Sequence, residues 1–126
     1  LDRLQTEHRY DHKHEKFELS DNQKHQLPGV IHPLVRTHPE TGQKALYLGI
    51  QLVKRIVGMA AEESRALLEK LHEHCTQPAF VHRHKWRAGD LVFWDNRCTM
   101  HAAQPYHDHV YTRHMHRTTV VGDRPF

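Results

Sequence analysis

Histidine is the residue type in which this sequence is unusual: 15 of its 126 residues. Ten of these form five His-x-His pairs, His12/His14, His72/His74, His82/His84, His107/His109 and His114/His116. On a strand, side chains two apart point the same way and could chelate one cation, whereas on a helix they diverge. Strand-like surroundings make His82/His84 and His114/His116 the better candidates, and a helical one discounts His72/His74. A zinc site needs a third and a fourth ligand, and no Cys-x-x-Cys is present to supply them. Most of the histidines therefore read as surface or hydrogen-bonding residues.

The richest chemistry lies in Trp94-Asp95-Asn96-Arg97-Cys98-Thr99-Met100-His101, followed by Arg113 and Arg117, which stand 12 and 16 residues after His101. If the chain doubles back, one imidazole and two guanidinium forks could meet in a single cavity. Arg113 and Arg117 are four apart, an even offset that places both on the same side of a strand. Arginine's planar fork matches a carboxylate, sulfonate or phosphate. On the residues alone, the plainer alternative of a structural histidine and a surface row of arginines carries the greater weight.

Charge points to the same region. The formal net charge is +3. Residues 1–78 hold 11 charges of each sign, while residues 79–126 hold seven basic residues, six of them arginine, against four acidic ones. A solvated basic face is the simple explanation, and an arginine-lined site for a small anion is the sharper one. A nucleic-acid surface is not indicated, because aromatic content is 8% and basic and aromatic residues do not interleave.

These residues must be held by elements that the pattern outlines. Residues 1–26 are polar and predict a short surface helix running into a loop. Leu27-Pro28-Gly29 reads as a turn, and Val30 to Arg36 as an edge strand interrupted by Pro33. His38-Pro39-Glu40-Thr41-Gly42 has turn chemistry, and Lys44 to Leu48 returns as a strand to make a hairpin. Ser64, Leu67, Leu68, Leu71 and Cys75 recur at spacings of three and four, predicting a helix over 60–75 that ends before Pro78. Further strands are expected over Phe80 to Trp86, Leu91 to Trp94 and His114 to Val121, with a tight turn at Ala88-Gly89-Asp90. Trp86 and Trp94 are expected in the core. The sum is a mostly-β, α+β pattern of one domain, suggesting a barrel or sandwich. No stretch has the roughly 20 apolar residues of a membrane helix, and Cys75 and Cys98 are too few for a disulfide framework. A cytoplasmic protein is the expectation.

Four segments resemble the taurine dioxygenase family of Fe(II)- and 2-oxoglutarate-dependent oxygenases, which includes enzymes attacking taurine, 2,4-dichlorophenoxyacetate and alkyl sulfate esters. They are His32-Pro33-Leu34-Val35-Arg36-Thr37-His38-Pro39-Glu40-Thr41-Gly42, Trp86-Arg87-Ala88-Gly89-Asp90, Trp94 to His101, and Met115-His116-Arg117-Thr118-Thr119-Val120-Val121-Gly122-Asp123. The resemblance implies a double-stranded β-helix (jelly roll), with residues 27–126 its C-terminal part and residues 1–26 a variable, lid-like segment. It implies iron held by two histidines and one carboxylate, His101 being the second histidine. Arg113 is implied as the partner of 2-oxoglutarate's distal carboxylate, and Arg117 as the contact for a sulfonate, sulfate ester or aryloxy-carboxylate substrate. O2 is the other reactant, and a homo-oligomer is expected.

The family's first ligands form a His-x-Asp or His-x-Glu pair well upstream of the second histidine. His38-Pro39-Glu40 is the one such pair here, and it falls in the turn segment that relatives carry in addition, so it is not assigned as ligands. The resemblance thus implies a dioxygenase of small anionic substrates, or a non-catalytic fragment of one that lacks the first two iron ligands.

Overall fold

The computed structural model describes residues 1–9, 29–107 and 109–126. Among the described residues, five short strands and one helix make up the regular structure: β1 (Gln5–His8), β2 (Val30–Pro33), β3 (Val35–Thr37), β4 (Lys44–Leu46), β5 (Val53–Ile56) and α1 (Ala61–Cys75), followed by a 3-10 turn at Pro78–Phe80. The described residues are mostly β with one helix, as the patterning predicts.

β1 lies at the centre of a three-stranded antiparallel sheet of order β2-β1-β5. This corrects the helix expected at the N-terminus over residues 1–9; the remainder of that expectation, and most of the Leu27-Pro28-Gly29 turn, lies outside the described residues. Gln5-Thr6-Glu7-His8 has too few apolar residues to announce a strand, and pairing on both edges makes it one. Thr6 sits opposite His32 on one side and Ile56 on the other, and its side chain is buried. The patterning does not announce β5 either.

Pro33 closes β2 at the sheet edge, where a missing N–H costs no ladder bond. The chain then crosses at Leu34, which is fully buried. Its N–H donates to Leu4 O and its carbonyl accepts from Tyr47 N–H. Leu34 thereby joins the three-stranded sheet to the β3–β4 hairpin, in which Val35, Arg36 and Thr37 face Leu46, Ala45 and Lys44. The hairpin is the predicted one, with its returning strand ending at Leu46. Gly42 takes φ +69°, which a side chain would strain, and its N–H closes the turn on His38 O.

α1 turns the half-buried stripe of Leu67, Leu68, Leu71 and Cys75 inward. Its single fully buried side chain, Ser64, accepts the Ile56 N–H at 2.7 Å and fastens the helix to β5. The core is small: Leu34, Leu48 and Ile56, with Thr6, Arg36, His38 and Ser64 buried around them.

The described residues of 81–126 contain no strand, which corrects the strands expected over 80–86, 91–94 and 114–121. A strand is a pairing, and among the described residues no backbone forms a ladder with these segments. Leu91, Phe93 and Val121 are 94%, 88% and 95% exposed, so apolar alternation without a partner leaves its side chains in water. Trp86 is exposed and Trp94 half-buried, against the expectation of two core tryptophans. The predicted turn at Ala88-Gly89-Asp90 forms, closed by Asp90 N–H on Arg87 O with Gly89 at φ +89°. The tail returns to the hairpin through Thr37 N–H donating to Phe126 O, and through an Arg36–Asp123 ion pair of 3.0 Å.

Candidate active site

The hairpin turn and the segment leading to His101 meet in one hydrogen-bonded cluster. Closing the turn folds the His38 ring over the backbone that follows it, so that Nδ1 accepts the N–H groups of Glu40 and Thr41, both at 3.3 Å. Two amide donors on Nδ1 place the ring proton on Nε2, which donates to Asp95 Oδ2 at 3.1 Å. His38 is buried while Asp95 is one-third exposed.

Asp95 is also gripped by Arg97. Arg97 Nη2 lies 2.7 Å from Oδ2, Nε 3.0 Å from each carboxylate oxygen, and the Arg97 N–H 2.8 Å from Oδ1. The Arg97 guanidinium, then its backbone N–H, then His38 hold the Asp95 carboxyl well below the usual carboxylate range. The other arm of the fork reaches back across the cluster, Arg97 Nη1 donating to Glu40 Oε1 at 2.9 Å. Asp95 O meanwhile accepts Thr99 N–H and Oγ1–H at 3.1 and 2.5 Å, closing a turn that ends two residues before His101.

His38, Asp95 and Cys98 form the group of three potential metal donors within 4.8 Å found among the described residues. This donor set does not fit a cation. His38 Nε2 carries a proton, both Asp95 oxygens are occupied, and a metal would stand beside the Arg97 guanidinium. Both motifs that build the cluster stand out in the sequence, but nothing in the sequence pairs them. The available signal is an acid and an arginine in Trp94-Asp95-Asn96-Arg97 and a histidine closing a Pro-Glu-Thr-Gly turn.

His101, Arg113 and Arg117 are all exposed. The His101 ring packs at a tilt against Trp94, centroids 4.9 Å apart, and no described side chain hydrogen-bonds its nitrogens. Arg113 places its guanidinium 5.9 Å from the Tyr106 ring centre, a cation–π approach. Arg113 and Arg117 do not share a strand, so the same-side expectation for them has no counterpart here. The donor chemistry at His101, an exposed imidazole, fits one ligand of an iron site.

Among the described residues, His82/His84 and His114/His116 do not gain a third ligand. His84 Nε2 is taken by Asp90 at 3.0 Å, an oxygen that also accepts the Arg87 N–H. The His114 and His116 rings lie 4.9 Å apart and exposed, while His12/His14 lies outside the described residues. A separate ring cluster joins the sheets: His8 stacks on Tyr47 at 5.3 Å, and His32 meets both edge-on at 4.9 and 5.6 Å. Burial, then the neighbouring His32, pulls the His8 imidazole down to about 4.

Residues 1–119 match the family model described as "Taurine catabolism dioxygenase TauD, TfdA family". The chain is 45% identical over 107 residues to an alpha-ketoglutarate-dependent 2,4-dichlorophenoxyacetate dioxygenase of Burkholderia sp. (strain RASC), covering 85% of this chain and 35% of that protein. It is 40% identical over 94 residues to an alpha-ketoglutarate-dependent sulfate ester dioxygenase of Pseudomonas putida, covering 75% and 31%. Among solved structures, that of AAD-2 with Mn(II) and N-oxalylglycine superposes with a TM-score of 0.66 at 43% identity, over 77% of this chain and 39% of that one. A taurine dioxygenase from Burkholderia xenovorans gives 0.63 at 44% identity, over 77% and 30%. The chain spans about a third of the length of the curated relatives it matches. On the family match, the chain belongs to the TauD/TfdA dioxygenase family.

Proposed function

We propose that the intact protein is an Fe(II)- and 2-oxoglutarate-dependent dioxygenase that hydroxylates a small anionic molecule, an aryloxy-carboxylate, sulfonate or sulfate ester, with release of succinate and CO2. The observation that carries this reading is His101, an open imidazole placed just after the Asp95–Thr99 turn and followed by Arg113 and Arg117, in a chain 45% identical to a 2,4-dichlorophenoxyacetate dioxygenase. The complete domain is read as a jelly roll, in which residues 81–126 find the strand partners they lack here.

Each residue has a definable task. His101 offers a neutral nitrogen to the metal, alongside a histidine and a carboxylate from outside this chain. Arg113 pairs with the distal carboxylate of 2-oxoglutarate, and its two-pronged contact fixes the cosubstrate's orientation where a single charge would not. Arg117 holds the anionic end of the substrate and so sets which carbon faces the metal. Iron with 2-oxoglutarate supplies the oxidising power for C–H hydroxylation; the chain's part is to bind, orient and exclude water.

A second reading is favoured by the donor set itself: with His101 the single open ligand assigned, these 126 residues alone are non-catalytic. One assay separates the cases. Fe(II)-dependent succinate formation by the intact protein is expected, lost in His101→Ala and absent from the 126-residue chain by itself. Coupled turnover retained in His101→Ala defeats the assignment.

A further inference from the structure

We propose that His38 is a positioning residue for His101, acting through Asp95 to hold the turn from which His101 projects. The inference rests on the reading of His101 as an iron ligand and deepens it. Two observations carry it. His38 is buried with both ring nitrogens committed, Nδ1 to its own hairpin turn and Nε2 to Asp95. Asp95 in turn is the residue on which the following turn closes, its carbonyl taking Thr99 N–H and Oγ1–H and its carboxylate taking the Arg97 N–H.

The linkage is therefore continuous from a rigid hairpin to the backbone two residues before His101. Arg97 doubles it, bridging Asp95 to Glu40 on the same hairpin turn. Groups that orient a metal ligand without touching the metal carry a measurable share of the affinity, commonly ten- to a hundredfold on removal.

Two substitutions split the two jobs of the ring. In His38→Asn the side-chain oxygen can still accept from the Glu40 and Thr41 amides, but the side chain is too short to reach Asp95. In His38→Gln the amide N–H reaches Asp95 in place of Nε2–H, and the contact to the turn is lost. In the intact protein without metal, amide hydrogen exchange at Cys98 and Thr99 is expected to quicken about tenfold in His38→Asn and to stay near wild type in His38→Gln; anaerobic Fe(II) titration should show about tenfold weaker binding for the first and near-normal binding for the second. Equal behaviour of the two variants, or wild-type exchange and affinity in His38→Asn, overturns the proposal. His101→Ala in the same titration separates the two levels. If it binds iron as wild type does, the ligand reading fails; if it loses iron while His38→Asn keeps it, the clamp alone fails.

Discussion

Residues 30–75 and residues 81–126 contain similar apolar alternation and meet opposite fates. Val30-Ile31 and Val53 to Ile56 lie in strands because β1 runs between them and satisfies a ladder on each side. Leu91-Val92-Phe93 and Val120-Val121 have as much β-forming character but pair with no strand among the described residues, and the side chains of Leu91, Phe93, Val120 and Val121 stand in solvent. Strand-forming sequence is thus a permission. Burial and hydrogen bonding across to another segment decide whether it is used. What holds the second region to the first is polar and local: His38 to Asp95, Arg97 to Glu40, Arg36 to Asp123.

The contrast is most exposed to disproof where the first region is best packed. Leu34 is fully buried where the two sheets join, so Leu34→Ala should cost about 3 kcal/mol in urea unfolding, by lost transfer energy and the cavity left behind. A cost below about 1 kcal/mol would mean that the junction is not the core.

A smaller effect is expected from acid. His8 lies in the first region, with its pKa lowered from 6.5 to about 4 in the folded state. The unfolded chain takes up the proton as pH falls through 6.5 and the folded chain does not until about 4, so stability is lost over that window as pH falls. The loss should be on the order of 2 kcal/mol, because each tenfold difference in proton affinity is worth about 1.4 kcal/mol and partial exposure reduces it. Unfolding midpoints followed from pH 7 to pH 4 in wild type and His8→Gln check this, the variant being expected to flatten the slope.

The least change is expected in the second region. Leu91→Ala, at a residue 94% exposed, should change the unfolding free energy of the 126-residue chain by less than about 0.5 kcal/mol. The same substitution in the intact protein should cost several times more if residue 91 enters a strand there. Equal small costs in both settings would show that the segment stays unpaired even in the complete molecule.

Legibility followed the range of the interactions. The helix over 61–75 and the hairpin around residues 38–43 are readable because their signals are local: a 3.6-residue apolar stripe, flanking acids and histidines, and a Pro-Glu-Thr-Gly turn. β1 escapes such a reading because Gln5 to His8 owe their conformation to partners 22 to 50 residues away. The strands expected over 80–86, 91–94 and 114–121 fail for the mirror-image reason, since their local signal is good and their partner is absent. At the site, His101, Arg113 and Arg117 are assigned by motif resemblance alone, and the turn at His38-Pro39-Glu40 is legible. The pairing of His38 with Asp95, 57 positions apart, is not.

Motif resemblance is enough to place the chain in its family, and residue type and short spacing are enough to specify the helix over 61–75 and the hairpin turn. Four other features came from the folded chain: Thr6 lies inside, Leu34 joins two sheets, Asp95 is saturated by His38 and Arg97, and the C-terminal segments remain unpaired. The division arises because burial and hydrogen-bond satisfaction depend on which distant segments come together, and no short window of sequence encodes its own partner.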